Sequence, residues 1–185
     1  LVIESRLGNF PWDVLHEGAA LRLDAIGIPI SVGVVAIIVS FLILLLWIPL
    51  RQRPGLGTVS NAILVGVFMD LTMAVVPDQD SMAVRIILLV CGIVLNGIAT
   101  VLYIIPSFGP GPRDGLMTGL VERTGRPVWA MRLIVEISVL IVGVVLGGTF
   151  GVGTIVFALG IGYITQYFLG LAARLLGPNT PRKGS

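Results

Sequence analysis

The chain has 185 residues, of which 56% are hydrophobic and only 12% charged, with a mean hydropathy of +1.02. A soluble domain carries roughly twice that charged fraction, so a polytopic all-α membrane protein embedded in a lipid bilayer is expected. The net charge of +2 is too small to point to nucleic acid. The single cysteine, Cys91, and single histidine, His16, exclude an intramolecular disulfide and any Cys- or His-clustered metal site. No metal and no cofactor is expected.

In chain order, residues 1–10 read as the end of a segment that begins further upstream, because the chain starts at Leu1 and not at Met. Pro11 and Asp13 mark a helix start: proline suits the first turn, and an aspartate there accepts from amides that have no intrahelical partner. The resulting helix, 12–24, is too short and too charged to span. Residues 28–50 carry no charge and would measure roughly 35 Å as a helix, enough to cross a bilayer. Arg51-Gln-Arg-Pro54 ends that span, and a glycine turn leads to a second at 58–76, charged only at Asp70. An acidic loop follows, then a third span at 82–106 with Asn96 inside it. Gly109-Pro-Gly-Pro-Arg-Asp-Gly-Leu116 opens a second short helix, 112–124. The fourth span, 127–147, carries Arg132 and Glu136, and a glycine-rich turn leads to the fifth at 154–176. Residues 179–185 form a loose tail.

The polar motif occurs twice. At an offset of 101, Gly8, Pro11, Asp13, Leu15, Gly18 and Arg22 match Gly109, Pro112, Asp114, Leu116, Gly119 and Arg123. At an offset of 96, Gly55, Gly57, Thr58, Ala62 and Gly66 match Gly151, Gly153, Thr154, Ala158 and Gly162, and Pro29 matches Pro127 at 98. Each unit is then span, half-helix, span, glycine turn, span. The first unit (1–81) lacks its opening span, so a sixth helix is expected upstream; the second (82–178) is complete. Three spans per unit place consecutive units upside down to each other. If the Arg51/Arg53 loop is cytoplasmic, Arg113, Arg123, Arg126, Arg174, Arg182 and Lys183 fall on the same side, and only Arg6, Arg22 and Arg85 lie outside. That bias follows the positive-inside rule and puts the C-terminus in the cytoplasm.

Four phrases, Pro11-Trp-Asp-Val-Leu-His16, Pro54-Gly-Leu-Gly-Thr58, Gly109-Pro-Gly-Pro-Arg-Asp-Gly-Leu116 and Gly147-Gly-Thr-Phe-Gly-Val-Gly-Thr154, together resemble the YczE/YitT group of bacterial integral membrane proteins. The similarity covers nearly the whole chain and implies a bacterial cytoplasmic membrane location. Relative to that pattern the first membrane helix is missing, which bears on the surroundings of Asp13.

The candidate site residues are Asp13, Asp70, Asn96, Arg113, Asp114, Arg132 and Glu136. Asp13 and Asp114 are either helix N-caps or partners of a solute held at the positive ends of two membrane-dipping half-helices. Arg132 and Glu136 lie one turn apart and must face protein or water, since an unpaired ion in hydrocarbon costs several kcal/mol. At an offset of 98 the first unit has Val34 and Ile38 in their place. Asp70 stands alone on its span, with Gln166 at the equivalent position. His16 and Glu17 read as interfacial; Trp12, Trp47 and Trp129 read as interfacial anchors. Gly143 and Gly147 have the spacing that lets helix backbones approach. Enzyme signatures are absent: there is no nucleophile with a histidine base and no phosphate-cradling loop. The expected function is a small secondary transporter or facilitator for a small polar or anionic solute, working by alternating access. The alternatives are a non-transporting membrane scaffold or a lipid-handling protein, and a homodimer is left open.

Overall fold

The computed structural model describes residues 8–75, 81–104, 109–161 and Tyr167. Within them the chain is helical, without a strand: α1 (Pro11–Ala25), α2 (Val32–Leu50), α3 (Leu56–Val75), α4 (Met82–Ile104), α5 (Pro112–Thr124), α6 (Val128–Leu146) and α7, described over Val152–Ile161. The chain is an all-α polytopic membrane protein. Three described helices are long and apolar enough to cross a bilayer: α2, α3 and Trp129–Leu146 of α6. Their outward faces are apolar, as lipid requires: Leu42, Leu45 and Ile48 of α2 and Ile141 and Val145 of α6 are all exposed.

The helix starts follow two different chemistries. At α2, Ser31 is the cap: its Oγ accepts from the Val34 amide at 3.2 Å. Asp70 of α3 reinforces that start, accepting from Ser31 Oγ at 2.5 Å and from the Gly33 amide at 2.8 Å. At α1 and α5 the caps are Phe10 and Gly111, and neither makes a side-chain cap hydrogen bond. Proline occupies the first helical position of both, and Asp13 and Asp114 sit in the first turn. The N-capping expectation for these two aspartates is therefore corrected: each is the third helical residue, three positions past the N-cap.

Each short helix packs on a long helix from the other part of the chain, α1 on α6 and α5 on α2. The two contacts fit by opposite assignments of bulk. In one, the Trp47 ring of α2 lies where a side chain at Gly115 of α5 would be. In the other, the long helix supplies the small residue: a Cβ at Gly143 of α6 would come 2.6 Å from Leu15 N and 2.7 Å from Val14 C of α1. Trp12, Ile43 and Trp47 form the buried apolar centre, with Leu15, Leu116, Val39, Val135 and Val139 against it. Trp47 is buried and donates its Nε1–H to the Pro112 carbonyl at 3.1 Å. Trp12 is buried too, whereas Trp129 is 63% exposed. Two of the three expected interfacial tryptophans are thus core residues, because the half-helices create an interior that a bundle of plain spans would lack. Gly143 serves close packing as expected, but Gly147 ends α6 in the left-handed region, at φ 101°.

Two threonines tie the starts of the short helices down. Thr58 Oγ1, in the first turn of α3, donates to the Pro110 carbonyl at 2.8 Å and accepts from the Gly55 amide at 3.1 Å. Thr154 Oγ1, at the start of α7, donates to the Asn9 carbonyl at 2.6 Å and accepts from the Gly151 amide at 3.1 Å. Gly8 and Gly109, just before those carbonyls, have φ of 117° and 104°. A Cβ at either would lie 2.7 Å from the corresponding threonine oxygen, so both the dihedral and the space call for glycine.

Gly115→Ala drives a methyl into the Trp47 ring. It is expected to lower stability by about 1–3 kcal/mol, the usual cost of overpacking. Gly125→Ala probes a glycine with open space around it, although its φ of 66° carries a cost of its own. Unfolding temperatures in detergent, compared by size-exclusion chromatography after heating, should therefore rank Gly115→Ala below Gly125→Ala.

Candidate functional site

The first turns of α1 and α5 meet. The Arg113 guanidinium carbon lies 5.0 Å from the centroid of the Trp12 ring, within cation–π range. These are the second helical residues of the two short helices. Around this junction α1 brings Asp13 and His16, α5 brings Arg113 and Asp114, and α6 brings Arg132 and Glu136. The charges facing Glu136 are Arg132, Arg113, Asp114 and Asp13; Arg113 faces Asp13 and Glu136 in turn, and Asp114 faces Arg132. Five of the seven candidate residues therefore converge. Asp70 is elsewhere, committed to the start of α2. Asn96 lies on α4, and its side chain is outside the described residues.

The register of the long helices supplies a further residue. Ser31 and Pro127 cap α2 and α6, and Arg51 and Gly147 close them, which aligns the two helices at an offset of 96 and not 98. Arg132 and Glu136 then correspond to Ala36 and Ser40, both buried, and not to the exposed Val34 and Ile38. Ala36, Ser40, Ile43 and Trp47 make one buried stripe on α2, at helical spacing. Arg132, Glu136, Val139 and Gly143 occupy the same positions on α6. The Pro29/Pro127 match had placed the equivalence two residues away, because the connection before α2 differs in length from that before α6.

His16 was not expected here. It has no exposed surface, and its Nδ1 is 3.8 Å from Asp13 Oδ1, too far for a hydrogen bond. Both ring nitrogens are buried without a hydrogen-bond partner, as is Glu136 Oε2, on a side chain only 6% exposed. A buried polar atom left unpaired costs about 1–3 kcal/mol, so three at one junction are a substantial cost to the fold. The signal in the sequence was faint: a lone histidine one turn beyond Asp13, matched by Met117 in the second motif. Asn61 of α3 was missed too. Its Oδ1 lies 2.9 Å from where a Cβ on Gly111 would stand, beside the first turn of α5.

Burial pushes the His16 imidazole below its ordinary value, against the partial opposition of Asp13. Asp114 retains some accessible surface, but enclosing protein pushes its carboxyl above the usual range against the pull of Arg132. Glu17, also taken as interfacial, accepts from Asn9 Nδ2 at 2.8 Å, the Thr149 amide at 2.8 Å and Thr149 Oγ1 at 3.0 Å. It thereby clamps α1 to the turn after α6. An open groove of about 520 Å³ runs beside this clamp, lined by Glu17, Leu21, Asp24, Ile30 and Ser31.

A lowered folded-state value for His16 means that the unfolded chain binds the proton more readily. Stability contributed by neutral His16 is then complete above its ordinary value of 6.5 and lost as pH falls below it. Thermal unfolding in detergent between about pH 7.5 and about pH 5.5 should show a larger loss for the wild type than for His16→Gln. Equal losses would contradict a buried neutral imidazole.

The family model that matches residues 1–170 is described as a family of unknown function, DUF6198. An uncharacterized protein of Haemophilus influenzae is 38% identical over 98% of this chain and 80% of its own length. The uncharacterized membrane protein YczE of Bacillus subtilis is 32% identical over 99% of this chain and 84% of its own. The uncharacterized protein YyaS of Bacillus subtilis is 26% identical over 94% of this chain and 86% of its own. No solved structure matches the chain. Both the matched length and the identities agree with the resemblance drawn from the four motif phrases, and the chain belongs to the DUF6198 family of YczE-like membrane proteins.

Proposed function

We propose that the chain is a small secondary transporter or facilitator for a small polar or anionic solute in the bacterial cytoplasmic membrane. The solute binds where the first turns of α1 and α5 meet the polar stripe of α6. The observation that carries this reading is the set of buried, unpartnered polar atoms on His16 and Glu136, beside two helix starts whose N-cap residues make no side-chain hydrogen bond. A folded scaffold gains nothing from leaving such atoms unpaired, whereas a site that exchanges solute and water needs them available. Solute binding beside the starts of broken helices is a recurrent arrangement in secondary transporters.

The reading takes the chain as two inverted units that rock against each other. Support comes from the reciprocal packing of α1 on α6 and α5 on α2, the matched threonine tethers, the duplicated motifs and the arginine bias toward one side. In this arrangement the Glu17 clamp closes one end of the site. The hydrogen bond from Gln52 Nε2 to Glu122 Oε2, at 2.6 Å, closes the other. The C-terminus lies in the cytoplasm.

Ser40 gives a direct test, since it is buried on the α2 stripe and Cys91 is the chain's only cysteine. In a Cys91→Ser background, a Ser40→Cys thiol is expected to react with a membrane-impermeant reagent applied from either face of oriented vesicles. Reaction from one face alone, or from neither, would contradict alternating access.

A further inference from the structure

The junction's charges select among solutes. Arg113 and Arg132 are balanced by Asp13 and Asp114, so the sign of the site is set by what remains: two helix starts and Glu136. Each helix start contributes roughly half a positive elementary charge. With Glu136 ionised the sum is near zero, and with Glu136 protonated it is about +1. From this we infer that the site takes a small monoanion together with one proton, and that Glu136 carries the proton. The inference rests on the transport reading above and names its substrate class and coupling.

The surroundings of Glu136 fit that role. Among the described residues the ionisable groups facing it are Arg132 on its own helix, Asp13 on α1, and Arg113 and Asp114 on α5. His16 on α1 adds a further titratable group, beside Asp13 and Arg113. Helix α2 has no ionisable residue between Val32 and Leu50, and offers only Ser40 at the equivalent position. Glu136 Oε2 has no hydrogen-bond donor, so a proton there displaces none. The free imidazole nitrogens of His16 offer an N–H to an anion oxygen. The physical advantage is charge balance. Moving one uncompensated charge against a membrane potential costs free energy, and an anion that travels with a proton avoids this cost.

Formate and nitrate serve as probes, titrated into the detergent-purified full chain and followed by tryptophan fluorescence, to which Trp12 beneath Arg113 contributes. Wild-type affinity for formate should weaken toward tenfold per pH unit on the alkaline side of the Glu136 midpoint, the slope of one linked proton. Glu136→Gln, which fixes the neutral form, should bind formate with an affinity that does not change with pH. As a check that needs no variant, weakly buffered wild-type protein should take up close to one proton per formate bound at alkaline pH. Failure of both anions to bind while alkali cations do would overturn the substrate class. Formate binding without proton uptake, or with the same pH slope in Glu136→Gln, would overturn the coupling. If the Ser40→Cys thiol still reacted from both faces, the transport reading would survive either failure. Without such labelling, both would fall.

Discussion

Two hydroxyl-to-carbonyl hydrogen bonds hold the architecture in register. Thr58 and Thr154 stand in the first turns of α3 and α7, and each reaches a carbonyl just ahead of a short helix. The tie is possible only because a glycine beside each carbonyl takes a positive φ and leaves room for the threonine oxygen. Once it is made, the next residues must turn into a helix whose first turn points inward. Proline at the first position then fixes the direction without using an amide that would need a partner. Everything polar in the interior follows from where those two turns end up.

The packing around them shows how similar contacts can be met with different side chains. Where α5 meets α2, the tryptophan is on the long helix and the glycine on the short one. Where α1 meets α6, the long helix carries the glycine and the short one carries Val14. The interior volume is filled in both cases, but only α6 can then present Arg132 and Glu136 beside the opposite short helix. On α2 the same positions hold Ala36 and Ser40, small enough to leave space for longer side chains across the junction. Of the two long helices, α6 alone brings charge to the site, while the remaining charged groups come from both short helices.

Much of the fold was legible from the residues. Long uncharged runs flanked by arginine, proline and glycine mark where helices lie in a lipid-embedded chain, because hydrocarbon enforces helical backbone pairing. Pro-x-Asp, met twice, located the short helices and three of the residues that gather at their starts, and the charges inside the fourth span added Arg132 and Glu136. What was not legible depended on tertiary contact. Nothing local distinguishes an interfacial tryptophan from Trp47, whose indole N–H is satisfied by a carbonyl 65 positions later in sequence. Asp70 looked like a lone charge in a span, yet it seals the start of α2, a pairing no spacing rule anticipates. His16 looked interfacial, as did Glu17, yet α1 packs on α6 and on α2 and His16 has no exposed surface.

The central claim is that the junction of the two short helices is a place built to be occupied. An experimental structure of the purified protein in lipid, at a resolution that reveals ordered water, would test it most directly. The account predicts a water or small ion within hydrogen-bonding distance of a His16 ring nitrogen and of Glu136 Oε2. A dry junction, in which protein side chains alone satisfy all three atoms, would contradict it.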